Sequence, residues 1–297
     1  MYPSAISGFS RLSQELIDEI IDYSFILGDR DRIIRMQQRI AIKAFSLICR
    51  AFRHRAKQLL FTTLSFVMKE EFLGEFKRLN DVFSMNPRLA SHVRVLELRV
   101  RGCSGLRDLF FEDRNLLECI GHISRNGFGH QPLHLEVYTY THREQYPIYQ
   151  GPSITRSRSF EAHFVPFIAS RLTSMDIRDL SEVPVALFDT SHNLFDLHIE
   201  GITLAPFEDS KRGPIEKRPL IRELWVKESE DVVCNNCLRF DRLSKVTFCN
   251  YDEMTVQHVL LSPPLSLEYL GFDTEGMSLI SRFHINATIQ QLFILYL

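Results

Sequence analysis

From residue 61 onward the apolar positions follow one rule. They recur at 0, +3 and +5: Phe61, Leu64, Phe66; Val93, Leu96, Leu98; Leu172, Met175, Ile177; Leu194, Leu197, Ile199; Ile221, Leu224, Val226; Leu243, Val246, Phe248; Leu267, Leu270, Phe272; and Ile289, Leu292, Ile294. Leu133, Leu135 and Val137 form a weaker member of the set. The last two positions of each set are two residues apart, so in an extended strand they share one face. Those last positions are spaced by 32, 39, 40, 22, 27, 22, 24 and 22 residues. The longer early spacings leave room for a helix. Phe72, Leu73, Phe76, Leu79 and Phe83 make one helical stripe; Leu116, Leu117, Ile120 and Ile123 make a second; Phe160, Phe164, Phe167 and Ile168 make a third. Strand followed by helix, repeated, predicts parallel strands with helices on one side.

Polar residues interrupt the strands at every other position: Glu97 lies between Leu96 and Leu98, and Asp176 between Met175 and Ile177. A doubly wound sheet, buried on both faces, would read as near-continuous apolar runs. Alternation predicts one wet face, and hence an open, curved solenoid. That face carries Val95, Glu97, Arg99; Ser174, Asp176, Arg178; Asp196, His198, Glu200; Glu223, Trp225, Lys227; Lys245, Thr247, Cys249; Tyr269, Gly271, Asp273; and Gln291, Phe293, Leu295. An aromatic ringed by charges fits a binding hot spot. The candidate target-binding residues are therefore Asp176, Arg178, His198, Glu223, Trp225, Lys227 and Tyr269. Two readings of Trp225 stand side by side: a partner contact, or a ring packed beneath the stretch 202–219. His198, between Asp196 and Glu200, is either a pH-sensitive contact or a solvated surface histidine.

The first sixty residues follow a different period. Leu16, Ile17, Ile20 and Ile21 form one helical stripe behind Ser13, a candidate N-cap, with Glu15, Asp18 and Glu19 near the positive end of the helix dipole. A second helical stretch, from about 33 to 60, in one piece or several, sets Phe45, Ile48, Phe52, Ala56 and Leu59 at helical spacing. Its polar face is basic, with Lys43, Arg50, Arg53, Arg55 and Lys57. Two or three short amphipathic helices make a thin core that needs a partner or a neighbouring domain to cover it. The division expected is 1–60 helical and 61–297 strand–helix repeat, with an overall α/β class (α+β when the helical segment is counted).

Composition narrows the function. The chain has 297 residues, is 45% hydrophobic and 24% charged, and carries a formal net charge of −2, which excludes disorder over most of its length. There are 23 Phe but one Trp, and that Trp falls on the wet face. No apolar run approaches the roughly 18 residues of a membrane span, and the N-terminus lacks the basic start and apolar core of a signal peptide. Six unevenly spaced Cys do not make a disulfide framework, so a reducing compartment, cytoplasmic and/or nuclear, is expected. The balanced charge offers no footprint for nucleic acid. Cys234 and Cys237 have CxxC spacing, which would need two more ligands, from Cys249 and His258, to hold zinc. Gly102–Gly105 is half of a nucleophile elbow and lacks the closing Gly. The stretches 138–158 and 205–219 read as loops, with Ser157 between Arg156 and Arg158 a candidate phosphate acceptor. No phosphate loop, dinucleotide fingerprint or HExxH is present. The expectation is a protein without catalysis, metal or cofactor.

The N-terminal blocks Leu12-Ser13-Gln14-Glu15-Leu16-Ile17-Asp18-Glu19-Ile20-Ile21, Ser46-Leu47-Ile48-Cys49-Arg50-Ala51-Phe52 and Leu60-Phe61 resemble the F-box, and more narrowly the F-box-like proteins of mushroom-forming fungi. Ser13 stands where that pattern has Pro, Phe52 where it has Trp, and about ten extra residues separate the blocks, within 25–40. The repeat spacings of 22–27 fall in the window of about 20–29 residues of leucine-rich repeats. F-box plus leucine-rich repeat resembles the substrate receptors of SCF-type ubiquitin ligases. The resemblance implies that Leu12, Leu16, Ile17, Ile20, Ile21, Ile48 and Phe52 supply either the surface for a Skp-type adaptor, and through it cullin, or the small core behind that surface. It implies that the repeat holds a protein target whose identity the sequence does not give. The competing reading is a repeat scaffold that has lost the adaptor. The chain stops on an apolar stretch, QQLFILYL, without the polar cap a solenoid needs, so a further C-terminal piece or a covering partner is expected.

Overall fold

A computed structural model describes residues 13–24, 32–48, 50–68, 73–100, 112–126, 133–139, 162, 165–166, 171–206, 217–235, 237–250, 253–261, 267–274 and 277–281. Three helices come first: α1 (Gln14–Ser24), α2 (Arg32–Ile48) and α3 (Arg50–Thr62). The Ser13 hydroxyl accepts a hydrogen bond from the Leu16 amide at 3.4 Å, so the expected N-cap is in place. The second helical stretch is described as two helices, one ending at Ile48 and the next beginning at Arg50, and Arg53 Nε reaches back to the Ser46 carbonyl at 3.5 Å near the end of α2. Residues 32–40 of the extra segment form the start of α2.

The remainder is a mixed helix-and-strand layer pair. Among the described residues nine strands form one sheet in sequential order: β1 (Thr63–Met68), β2 (Val95–Val100), β3 (Leu133–Thr139), β4 (Leu172–Arg178), β5 (Asp196–Glu200), β6 (Glu223–Lys227), β7 (Lys245–Cys249), β8 (Tyr269–Thr274) and β9 (Met277–Ser281). The first eight pair in parallel. β9 returns antiparallel to β8, a strand absent from the periodic pattern. The expected final triplet, Ile289, Leu292 and Ile294, lies outside the described residues, as do Phe160, Phe164, Phe167 and Ile168. Between the strands lie α4 (Leu73–Met85), a 3-10 turn (Pro87–His92), α5 (Arg114–Asn126), α6 (Val185–Asp189), α7 (Glu230–Cys234) and α8 (Glu253–Leu261).

Strand order never reverses, whereas a doubly wound sheet reverses at its switch point. One core explains why. Leu64, Phe66, Leu96, Leu98, Leu135, Val137, Met175, Ile177, Leu197, Ile199, Leu224, Val226, Val246, Phe248 and Leu270 all bury one face of the sheet. Phe76 and Phe83 of α4, Leu116, Ile120 and Ile123 of α5, and residues of α6, α7 and α8 pack into that same core. Most first positions of the triplets, such as Val93, Leu194, Ile221, Leu243 and Leu267, are buried just ahead of their strands. Phe61 is a correction: it sits in the last turn of α3, against Phe83 at 5.9 Å, because the helix runs directly into β1. No separate linker divides the N-terminal helices from the sheet.

A second regularity was invisible to hydropathy. The residue after each of β4, β5, β6 and β7 is left-handed: Asp179 (φ 53), Gly201 (φ 58), Glu228 (φ 48) and Asn250 (φ 45). Three of them donate their amide to a carbonyl in the last two residues of the next strand: Asp179 to Glu200 at 2.8 Å, Gly201 to Lys227 at 2.9 Å and Asn250 to Asp273 at 3.3 Å. Each turn therefore extends the ladder by one bond while the chain leaves the sheet.

Candidate functional site

The polar face of the sheet is ordered by register. Parallel pairing places Glu97, Glu136, Asp176, His198, Trp225, Thr247 and Gly271 in one row across seven strands. A flanking row holds His134, Ser174, Asp196, Glu223, Lys245 and Tyr269. The other holds Arg99, Tyr138, Arg178, Glu200, Lys227, Cys249 and Asp273. Neighbours in a row are about 4.8 Å apart, close enough for like charges to repel unless they are neutralised.

Neutralisation runs along the strands and between them. Arg99 forks onto Glu97, with Nε and Nη2 each 2.9 Å from a carboxylate oxygen. Arg178 repeats the arrangement on Asp176, at 2.8 and 2.6 Å. Such i, i+2 pairs are possible because alternate residues of a strand share a face, and the two-pronged geometry is the strong form of the carboxylate–guanidinium contact. Within β3, His134 reaches Glu136 at 3.4 Å; across strands, Lys227 reaches Glu200 at 3.2 Å, Lys245 reaches Glu223 at 3.6 Å, and Ser174 donates to Asp196 at 2.8 Å.

The expectation of a wholly wet face is corrected here. Glu97 is 3% exposed, Asp176 9% and His198 8%. Their row is roofed by its neighbours: the arginine forks fold over the carboxylates, and the Trp225 ring lies on His198 with centroids 3.8 Å apart and planes 35° from parallel. His198 is thus not a solvated surface histidine. Its Nδ1 is 3.8 Å from Asp176. Burial alone would raise the Asp176 carboxyl; the Arg178 fork, with the charges of His198, Arg178 and His134, outweighs it and holds Asp176 below the usual carboxylate range.

Of the target-binding candidates, Asp176, Arg178, His198 and Trp225 form one connected cluster. Glu223 and Lys227 flank it, exposed and half-buried respectively. Tyr269 stands two strands from Trp225, half-buried, with Lys245 Nζ 5.7 Å from its ring centre. Tyr269 lies down across Gly271, where an added Cβ would meet its ring at 3.1 Å. Trp225 is half-buried, covered on one side by His198. Residues 207–216 of the segment considered as its cover are outside the described residues, as are Ser157, Gly102–Gly105 and the positions Gln291, Phe293 and Leu295. What pattern reading missed were Glu136 and His134 in the central rows; the weaker apolar set of β3 gave no register for them.

The N-terminal candidates separate into two groups. Ile17, Ile21 and Phe52 are 3%, 0% and 2% exposed and form a small core with Ile42, Ala56 and Leu59. They are interior, not contact surface. Leu16 is 48% exposed. Leu12 and the side chains of Ile20 and Ile48 lie outside the described residues. Ile40 and Leu47, 60% and 79% exposed, are apolar surface that the candidate set omitted; Leu47 stands within the second block and was readable there.

Cys237 and Cys249 are buried, and burial pushes the Cys249 thiol up to about 11. Among the described residues no three His, Cys, Asp or Glu side chains are grouped to hold a metal, and no helix is long and apolar enough to cross a membrane. Fold and site together define an α/β protein with one core-facing and one ion-paired sheet face. No protein-family model, curated protein or solved structure matches the chain.

Proposed function

We propose that this protein is a non-catalytic receptor: the substrate-recognition subunit of an SCF-type ubiquitin ligase, a leucine-rich-repeat-like solenoid behind an F-box-like helical segment. The carrying observation is the ion-paired sheet face, whose three side-chain rows run unbroken across consecutive strands with Trp225 in the middle row. A face of this kind presents a rigid polar rim around a stacked aromatic, which suits a protein target. Its described carboxylates are Glu97, Glu136, Asp176, Asp196, Glu200, Glu223 and Asp273; its Lys and Arg side chains are Arg99, Arg178, Lys227 and Lys245. The acidic excess favours a target segment rich in Lys or Arg. Leu16 and Leu47 offer apolar surface to the Skp-type adaptor, with Ile17, Ile21 and Phe52 as the core behind it. Bound this way, the receptor acts by holding its target near the transferring enzyme; the covalent chemistry belongs to other subunits. The site of action is cytoplasmic or nuclear.

Binding to purified adaptor tests the reading. Leu16→Asp and Leu47→Asp are expected to abolish adaptor capture with an unchanged circular-dichroism spectrum. Trp225→Ala is expected to keep the adaptor and lose the target. The second reading, a scaffold without adaptor, is favoured by the 17-residue length of α2, which the extra segment supplies. Intact chain that fails to bind the adaptor at micromolar concentration decides for the scaffold.

A further inference from the structure

Cationic groups from four places in the chain converge where the N-terminal helices meet the sheet. Arg94 precedes β2 and Arg171 precedes β4. The Arg94 carbonyl accepts from the His134 amide at 2.8 Å and the Arg171 carbonyl from the Leu133 amide at 3.0 Å, so the two arginines flank the first residues of β3. The Arg94 amide donates to the Thr62 carbonyl at the end of α3. His92 ends the 3-10 turn, which packs against both α3 and α5. His54 and Arg55 come from α3 and act electrostatically on His92.

Among the described residues the side chains of Arg94 and Arg171 bond only backbone carbonyls. Arg94 Nη1 donates to the Ser91 and Val93 carbonyls, at 2.6 and 2.9 Å. Arg171 Nη1 donates to the Ile123 carbonyl at 3.2 Å, in the last turn of α5. Arg171 Nε and Nη2 are closed off from solvent and have no hydrogen-bond partner among the described residues. Among the described residues no carboxylate acts on Arg94, Arg171 or His92. Burial lowers both guanidinium groups, and Arg171 lowers Arg94 further. Burial first, then Arg94, His54 and Arg55, depresses His92. Carboxylates are not scarce, since the chain has 37 Asp and Glu to 35 Lys and Arg. A buried donor pair on Arg171 and two neighbouring guanidinium groups with no carboxylate acting on them among the described residues are opposed by desolvation and repulsion unless an anion completes them.

We propose that Arg171, Arg94 and His92 hold a small tetrahedral oxyanion of the phosphate class between the first strands and α3. The Nε–Nη2 edge of Arg171 is the edge that bridges two oxygens of such a group. Donors arriving from separate elements suit a tetrahedral ion better than a planar carboxylate. The enclosure of that edge restricts the occupant to a free ion, and its charge ties α3 to the sheet. The competing role for Arg171 is purely structural: a cation capping the negative end of α5 through Ile123. Lysine would retain that role and lose the two-pronged edge.

The test is thermal unfolding of the full chain in sodium phosphate, sodium sulfate, sodium acetate and sodium chloride at matched ionic strength. Wild type is expected to gain about 5 °C in Tm at a hundredfold excess of phosphate over its midpoint, with a gain in sulfate and none in acetate. Arg171→Lys and Arg94→Gln are expected to lose the gain while keeping their Tm order in chloride. This comparison removes the general stabilisation by phosphate as an excluded salt. A histidine NMR titration of wild type is expected to show the His92 pKa higher in phosphate than in chloride. Equal Tm in phosphate and chloride, an acetate gain matching that of phosphate, or a phosphate gain retained in the variants overturns the proposal. Should Arg171→Lys not fold, Arg94→Gln and the wild-type His92 titration decide in the same way.

Discussion

Replacing Asp176 by Asn probes the energetic centre of the polar face. The carboxylate is 9% exposed and takes both prongs of Arg178, at 2.8 and 2.6 Å, with His198 3.8 Å away. A hydrogen bond to a charged partner is worth about 1.5–3 kcal/mol. The Arg178 side chain is 38% exposed, so water screens the pair and the lower part of that range applies. Asn keeps one acceptor, which reduces the loss further. The expected destabilisation at pH 7 is about 2 kcal/mol, roughly a 30-fold change in the unfolding constant. Because folding lowers the Asp176 pKa from its ordinary value of 3.8, the stabilisation is complete above that value and disappears as pH falls through the folded-state value. Urea unfolding of wild type and Asp176→Asn should therefore give a constant gap from pH 7 down to about pH 4, closing below it. Arg178→Met completes a double-mutant cycle, with a coupling of about 1–2 kcal/mol expected. A gap under about 0.5 kcal/mol at pH 7, or one that persists unchanged in acid, refutes the buried fork as the source of stability.

Three further outcomes follow from the same geometry. Trp225 is the single Trp of the chain and stacks on His198, so replacing the imidazole in His198→Gln should change its fluorescence intensity and emission maximum; a spectrum unchanged by that variant excludes the stack. Gly201→Ala, at φ 58 and with the new Cβ 3.2 Å from Asp179 Oδ1, should cost about 1–2 kcal/mol in urea unfolding, whereas Glu228→Gly at the equivalent turn should be neutral or stabilising. Ile21→Ala, at 0% exposure, should cost about 2–5 kcal/mol, while Leu47→Ala, at 79% exposure, should leave unfolding within about 0.5 kcal/mol of wild type.

The sequence by itself determined the eight parallel strands. A period of two with one apolar face is a local property, because alternate side chains of an extended chain point to opposite sides. Eight of the nine predicted triplets therefore fall on or just before described strands. It also determined the Ser13 cap and the buried stripes of α4 and α5, which depend on residues within a few positions of each other. The tertiary structure alone decided three things. It decided which apolar residues of the N-terminal blocks face inward, since Leu16 and Ile17 are adjacent in the same amphipathic pattern and only packing against α2 and α3 separates them. It decided that Glu97, Asp176 and His198 are buried on a face read as wet, because their cover comes from register with neighbouring strands and from side chains folded over them. And it brought Arg94 and Arg171, 77 positions apart, to either side of β3. Charge convergence of that kind depends on which strands become neighbours, a non-local outcome that hydropathy along the chain does not encode.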